Sequence, residues 1–313
     1  MSENKIKTIF IGTPDFGIPA LISLINNDNF LVIGVITQPD KKVGRQQILT
    51  ETPIKKIATS YNLPVWQPKK LKEFAADMEK IQPDLIVVVA YAQILSKTIL
   101  DMPKYGCINI HGSLLPKYRG AACIQAAILN GDSETGVTIM KMDEGLDTGP
   151  IIAQEKIVIE PTDTGEKVFN KLSGLAGKVA APIISDYING KIELKIQDNS
   201  QASLTKLLEK DDGKINWQKS ATEIERLVRA MYSWPGAFTT FNGRVLKITA
   251  VEQKIININK HKIGEIFLHN DEIAVQCCQD ALILKKIQLE GKKEMSATNF
   301  LNGHKNFIGA ILI

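Results

Sequence analysis

Residues 106–120 read GCINIHGSLLPKYRG, and this stretch decides how the rest of the chain is interpreted. Its first part, residues 107–111, alternates apolar and polar side chains with a period of two, which is typical of a β-strand. Residues two apart on a strand point to the same side, so Asn109 and His111 share one face. Gly112 then ends the strand. The sequence therefore predicts an amide beside an imidazole at the end of a strand, where open α/β sheets bind ligands.

A carboxylate follows these two groups at Asp147, within a short stretch that also contains Gly145 and Gly149. A single histidine is more often a packed or exposed residue than a catalytic one. The other three histidines of the chain, however, all lie after residue 260. Amide, imidazole and carboxylate together can donate to an oxyanion, accept a proton and orient the imidazole. We therefore predict that Asn109, His111 and Asp147 are catalytic residues acting on a carbonyl group.

Length and composition indicate a globular protein with two domains. The chain has 313 residues, with 44% hydrophobic and 23% charged side chains, and single cores usually stop growing near 250–300 residues. No apolar run reaches the ~20 residues of a membrane-spanning helix, and the first residues lack the apolar core of a signal peptide. The four cysteines have no metal-ligand or disulfide spacing. We expect a cytoplasmic protein without a metal, and a monomer, because no exposed heptad pattern stands out.

Positive charge is concentrated in the C-terminal third of the chain. Residues 1–205 contain 22 Lys and Arg against 22 Asp and Glu, and residues 206–313 contain 16 against 12, which gives the net charge of +4. Such an excess indicates a polyanionic partner. It is also common on solvated surfaces that bind nothing, so both interpretations stay open at this point.

The first two thirds of the chain alternate strand and helix patterns, which predicts a mostly parallel sheet covered by helices. The run 85–90 (LIVVVA) is continuously apolar, as in a strand buried on both faces. The opening strand and turn lack the GxGxxG of dinucleotide folds and the GK[ST] of phosphate loops, so Gly12 and Gly17 are read as structural. The predicted strands are 7–12, 30–37, 85–90, 108–111, 135–141 and 151–159. The predicted helices are 18–25, 71–81, 125–130 and a long one that is capped within Thr162-Asp163-Thr164 and ends near Asn189-Gly190.

Beyond residue 190 the pattern changes. Residues 191–205 are polar and without period, which favours a linker. A short amphipathic helix over 222–230 and short alternating strands follow, with Asn242-Gly243 as a hairpin turn. The predicted strands are 237–241, 245–251, 264–268, 273–276 and 282–287, a set that favours a small OB-like β-barrel. We therefore predict domains at 1–190 and 206–313.

The quoted motif, taken together with Leu146-Asp147-Thr148-Gly149, resembles the core of the folate-dependent formyltransferases, and the resemblance is collinear over nearly the whole chain from Lys7. It implies a Rossmann-like catalytic domain followed by an OB-like domain that binds tRNA. It also implies a reaction: the formyl group of 10-formyltetrahydrofolate moves to the α-amino group of methionyl initiator tRNA, for translation initiation. No metal takes part in that reaction.

The resemblance further implies where the two substrates bind. An apolar corner with main-chain hydrogen-bonding groups suits a flat pterin ring. The folate pocket would be formed by Tyr91, Ile94, Ser113, Leu114, Leu115, Pro116, Asp143 and Gly145. The basic loop 41–47 would reach the acceptor end of the tRNA, with Gln46 and Gln47 where some relatives carry further basic residues. The tRNA-binding residues would be Arg45, Lys41, Lys42, Lys206 and Lys210.

Three other functions compete with this one. A formyltransferase of the same family could act on a small amine, such as glycinamide ribonucleotide or a sugar nucleotide, but a small substrate explains neither the basic loop nor the added domain. A non-catalytic nucleic-acid-binding protein would not be expected to keep the amide, imidazole and carboxylate together. A nicotinamide enzyme is disfavoured by the missing GxGxxG.

Overall fold

The structure is a computed structural model that describes residues 5–44 and 46–313. The chain forms two compact units. The first comprises residues 1–123, 134–157 and 169–206, and the second comprises residues 124–133, 158–168 and 207–313. Within the described residues, no helix is long and apolar enough to cross a membrane.

Short strands and helices alternate along the chain. The strands are β1 (Ile6–Gly12), β2 (Phe30–Ile36), β3 (Lys41–Val43), β4 (Ile48–Thr50), β5 (Val65–Trp66), β6 (Leu85–Val89), β7 (Cys107–His111), β8 (Arg119–Gly120), β9 (Glu134–Lys141), β10 (Ile151–Val158), β11 (Leu204–Thr205), β12 (Ala237–Phe241), β13 (Arg244–Val251), β14 (Ile266–His269), β15 (Glu272–Gln276), β16 (Ala281–Leu289) and β17 (Met295–Ser296). The helices are α1 (Ile18–Ile25), α2 (Pro53–Ser60), α3 (Ala75–Ile81), α4 (Lys97–Leu100), α5 (Cys123–Asn130), α6 (Gly165–Ile188), α7 (Ala221–Ala230) and α8 (Ala297–Gly303).

The centre of the first unit is a seven-stranded sheet in the order β10-β9-β7-β6-β1-β2-β5. The strands from β7 to β5 are parallel, and β9 runs antiparallel to β7. The predicted mostly parallel sheet is confirmed. Every residue of β6 is buried, as its unbroken apolar run requires for a strand covered on both faces.

Helix α6 packs on the beginning of the chain. Ser173 donates its hydroxyl to the carbonyl of Phe16 at 2.9 Å, and the rings of Phe16 and Phe169 meet edge to face at 5.2 Å. A Cβ on Gly177 would lie 2.4 Å from the side chain of Pro19. The glycine therefore permits a close approach that a larger residue would prevent.

Three local predictions need correction. Residues 41–47, predicted as a loop, begin with strand β3, which pairs antiparallel with β4; each strand has only three residues, too few to show a period. The predicted helix 71–81 begins as a 3₁₀ turn at Leu71–Phe74 before α3. Residues 191–205, predicted as a patternless linker, include β11, which pairs with β8 of the first unit.

The second unit contains an antiparallel sheet in the order β12-β13-β16-β15-β14, with β17 beside β16. The five predicted strands are all present, and the turn at Asn242-Gly243 has the positive φ at both residues that such a hairpin needs. Helix α7 begins with a reciprocal capping box between Ser220 and Glu223. The aromatic rings of Phe241, Phe300 and Phe307 pack against one another in the core of the second unit. Closure into an OB-like barrel stays a prediction, as do the domain limits at 190 and 206.

Candidate active site

Strand β7 carries two polar side chains toward its carboxyl end, as predicted. All five residues of β7 are buried, yet Asn109 and His111 alternate with Ile108 and Ile110, which are also buried. Both polar side chains reach the same carboxylate, that of Asp147, which confirms that they share a face. Burial of an amide and an imidazole is unfavourable unless they find hydrogen-bonding partners, and here they have them.

Asp147 connects the two side chains with the loop that follows them. Its Oδ1 accepts a hydrogen bond from Asn109 Nδ2 at 3.1 Å, and its Oδ2 accepts one from the Gly120 N–H at 2.8 Å. The same Oδ2 lies 3.6 Å from His111 Nδ1. Asp147 has a φ of 53°, in the left-handed region that aspartate and asparagine enter more readily than most residues. The left-handed turn in this loop is therefore made by the carboxylate residue itself.

The surroundings of His111 favour its charged form. Its Nε2 lies 3.0 Å from the carbonyl oxygen of Tyr118, so this nitrogen carries a proton and donates it. Burial by itself lowers the pKa of His111, but the Cys123 thiol, the Asp147 carboxylate and the Tyr118 carbonyl act in the opposite direction and prevail. The pKa of His111 is raised to about 9. The contacts of His111 therefore favour the protonated ring over the neutral one.

The loop after His111 is held by side chains from the neighbouring strands. Thr138 of β9 donates its hydroxyl to the Ser113 carbonyl at 2.6 Å and accepts from the Leu115 N–H at 3.1 Å. Gln154 of β10 donates to the Leu115 carbonyl at 2.8 Å and to the Thr138 hydroxyl at 3.0 Å. The peptide bond between Leu115 and Pro116 is cis. The hydrogen bonds of Thr138 and Gln154 hold this loop beside the three candidate catalytic groups.

Comparison with known proteins assigns this site to a family. The family model "Formyl transferase" matches residues 5–183, and "Formyl transferase, C-terminal domain" matches residues 207–305. A methionyl-tRNA formyltransferase of Caldicellulosiruptor saccharolyticus is 46% identical over 97% of this chain and 99% of its own. Another, of Myxococcus xanthus, is 41% identical over 97% of this chain and 96% of its own.

This chain belongs to the methionyl-tRNA formyltransferase family. Two solved structures share its fold. The sugar 3N-formyltransferase WlaRD has a TM-score of 0.65 at 22% identity, covering 93% of this chain and 100% of that one. HypX from Aquifex aeolicus, solved with tetrahydrofolic acid, has a TM-score of 0.62 at 13% identity, covering 97% of this chain and 48% of that one. At these identities the likeness concerns the fold alone.

In this formyltransferase the residues predicted to bind folate differ in exposure. Ser113, Leu115 and Tyr91 are buried, and burial raises the pKa of the Tyr91 hydroxyl to about 12. That hydroxyl is one of two buried side-chain polar atoms without a hydrogen-bond partner among the described residues. Ile94, in contrast, is 85% exposed.

The remaining residues predicted to bind folate lie in the loop after His111 and in the loop before Asp147. Leu114 and Pro116 are half-buried, and Asp143 and Gly145 are exposed. The Asp143 carboxylate is used within its own loop, where it accepts from the Gly145 N–H at 3.1 Å and the Thr148 hydroxyl at 2.6 Å. Asp143 therefore shapes the loop before Asp147.

The residues predicted to bind tRNA fall into three groups. Arg45 lies outside the described residues. Lys41 and Lys42 are exposed on β3, beside the position that Arg45 occupies in the sequence. Lys206 and Lys210 are exposed, and Lys210 begins a 3₁₀ turn in the second unit.

Three buried residues of the site escaped the sequence analysis. Cys123, the first residue of α5, lies within hydrogen-bonding reach of His111. Arg119 and Gln197 are both buried, and they bond to each other across 78 residues of sequence. The only signal that could have found Arg119 is its place in the quoted motif, and nothing in the polar run around Gln197 distinguishes it from an exposed segment. Among the residues described, no group of His, Cys, Asp and Glu could hold a metal ion.

Proposed function

We propose that this chain transfers the formyl group of 10-formyltetrahydrofolate to the α-amino group of methionyl initiator tRNA and so produces N-formylmethionyl-tRNA for translation initiation. The observation that carries the proposal is the convergence of Asn109, His111 and Asp147 at the end of β7, in a chain 46% identical to a relative named methionyl-tRNA formyltransferase. An amide, an imidazolium and a carboxylate match the needs of attack on a formyl carbon.

In the reaction, the amine nitrogen bonds to the formyl carbon, and the bond from that carbon to N10 of the folate breaks. A negative oxygen develops in between. Asn109 has one Nδ2 proton directed to Asp147, which leaves the other for this oxygen. His111 in its protonated form supplies positive charge, and its Nδ1–H is the donor that remains, because Nε2 already donates to the Tyr118 carbonyl at 3.0 Å.

The proton transfers divide between the carboxylate and the imidazolium. The amine loses one proton, and the departing N10 gains one. The sequence predicts the imidazole as the proton acceptor, but its contacts in the fold raise the pKa of His111 and favour the protonated form. Asp147 is therefore the acceptor we propose, directly or through water, and His111 is the donor.

We propose that the folate lies against the loop 113–116 and the segments containing Tyr91, Ile94 and Asp143. The exposed Ile94 side chain is consistent with an apolar wall that a ligand covers. The acceptor end of the tRNA would contact the hairpin of β3 and β4 through Lys41, Lys42 and Arg45, with Lys206 and Lys210 binding phosphates. The protein would act as a cytoplasmic monomer.

The test is a formyl-transfer assay with 10-formyltetrahydrofolate and charged initiator Met-tRNA, comparing the wild type with His111→Ala. We expect transfer by the wild type and a loss of at least roughly 10²-fold in the variant, with the melting temperature close to that of the wild type. Uncharged initiator tRNA serves as a control, since it has no amine to formylate. The assay is repeated as salt rises, because binding of a polyanion weakens steeply with salt.

Two results would contradict the proposal. Binding of the folate without transfer to Met-tRNA would keep the family and redirect the search to small amine acceptors. No binding of the folate at all would refute the function altogether.

A further inference from the structure

Gln197 is a buried amide that uses both ends of its side chain within the site. It follows α6 in the segment 191–205 and is 6% exposed. Its Nε2 donates to the carbonyl oxygens of Asp147 at 2.8 Å and Gly149 at 2.7 Å. Its Oε1 accepts from Arg119 Nε at 3.2 Å and Arg119 Nη2 at 2.8 Å. Both amide protons and the oxygen are therefore occupied.

These hydrogen bonds join the two loops that carry the partners of His111. One loop contains Asp147, whose carboxylate faces the imidazole ring. The other contains Tyr118, whose carbonyl accepts from His111 Nε2, followed directly by Arg119. The Gly120 N–H, which donates to the Asp147 carboxylate at 2.8 Å, also joins the two loops directly.

Neighbouring residues of the same segment hold the second loop from the other side. Ser203 accepts from the Tyr118 N–H through its hydroxyl at 2.9 Å and from the Arg119 N–H through its carbonyl at 2.8 Å. Thr205 donates its hydroxyl to the Arg119 carbonyl at 3.0 Å. The backbone on both sides of the Tyr118 carbonyl is therefore fixed, so the position of that carbonyl against His111 depends on this segment.

We propose that Gln197 is a positioning residue for formyl transfer, which sets the distance of the Asp147 and Tyr118 loops from His111 without itself contacting the reacting atoms. That the reaction is formyl transfer rests on the proposed function. The positioning role rests on the hydrogen bonds alone. A side chain that binds two carbonyls and a guanidinium cannot be replaced by a shorter or apolar one without releasing at least one loop.

The experiment compares Gln197→Met, which keeps the length but loses all the hydrogen bonds, with Gln197→Glu, which keeps an oxygen for Arg119 but loses both amide protons. Gln201→Met is the matched control, because Gln201 is exposed in the same segment and its side-chain amide donates to the Asp198 carboxylate at 2.8 Å, away from the two loops. For each full-length protein we measure kcat, the KM for both substrates, the melting temperature and the titration of His111 by NMR of labelled histidine.

We expect kcat to fall roughly 10- to 100-fold in both Gln197 variants, with each KM within about twofold of the wild type, and the His111 titration to move from its wild-type midpoint. Gln201→Met should match the wild type in all respects. Should Gln197→Met fold poorly, Gln197→Glu carries the test, since its carboxylate pairs with Arg119.

A Gln197→Glu protein with wild-type kcat and wild-type His111 titration would overturn the proposal, and so would a lower melting temperature as the only change in both variants. The NMR titration needs no substrate. If the wild type failed to formylate Met-tRNA while the His111 titration still followed Gln197, the function would be refuted and the positioning role upheld.

Discussion

Asp147→Asn tests the electrostatics of the site most directly. The substitution removes one negative charge and changes little else, because asparagine has nearly the same shape and tolerates the φ of 53° at this position. The side-chain oxygen can still accept from Asn109 or Gly120, although no longer from both as the carboxylate does. The main consequence falls on His111, since the lost charge stands 3.6 Å from its Nδ1.

The size of the effect follows from that distance. Two unit charges 3.6 Å apart interact by about 5 kcal/mol at an effective dielectric constant of 20 and by about 1 kcal/mol in bulk water. One pKa unit corresponds to about 1.4 kcal/mol, so the pKa of His111 should fall by roughly 1 to 3 units. From a starting value of about 9, the variant should titrate between about 6 and 8.

NMR of protein labelled at the histidine rings follows this titration. The chain has four histidines, and the His111 signal is assigned by its loss in His111→Gln. Turnover in Asp147→Asn should fall as well, because the proton acceptor is gone, and its pH dependence should shift with the new pKa. A wild-type His111 that titrates near 6.5, or a variant whose His111 still titrates near 9, would refute the reasoning.

Four further predictions concern single residues. The pKa of His111 is raised to about 9 in the folded chain from about 6.5 when unfolded. The protonated ring therefore stabilises the folded state by about 3 kcal/mol below pH 6.5, and this contribution is lost as the pH rises through 9. The free energy of unfolding in urea should accordingly depend less on pH in His111→Gln than in the wild type. Asn109→Ala should lower kcat roughly 10²- to 10³-fold by removing an oxyanion donor, with a much smaller change in melting temperature; an unchanged kcat would exclude that role. Gly120→Ala should be destabilising by more than about 1 kcal/mol, since its φ is +104° and a Cβ would lie 2.3 Å from the Thr205 carbonyl oxygen. Gly174→Ala in α6, which has open space around it, should instead be stabilising by up to about 1 kcal/mol. Thermal or urea unfolding measures both.

The sequence predicted the elements whose side chains follow a regular period. Strand β7 alternates with a period of two, and β6 is apolar throughout, so both were identifiable from local spacing alone. The pairing of Asn109 with His111 follows from the same alternation. The addition of Asp147 depended on a third polar group in a glycine-rich turn and on the resemblance to a family, since no period connects residues 38 apart.

What escaped prediction depends on contacts between distant residues. Gln197 lies 50 residues from Asp147 and 78 from Arg119 in the sequence, and its neighbours are polar and turn-prone, so it resembles an exposed segment. The raised pKa of His111 depends on Cys123, Asp147 and the Tyr118 carbonyl together. A charge state of this kind is a property of the folded arrangement and has no counterpart in local sequence.

The attachment of β11 to β8 has a consequence for building chimeras from members of this family. Residues 197–205 complete the hydrogen bonding of the loops around His111, although they follow the last long helix of the first unit. A crossover placed near residue 191, where the sequence pattern changes, would take the loops around His111 from one parent and residues 197–205, which bond to those loops, from the other parent. A crossover after Thr205 keeps both from the same parent. The recombination point for exchanging C-terminal modules is therefore set by the residues between 197 and 205 that bond to Arg119.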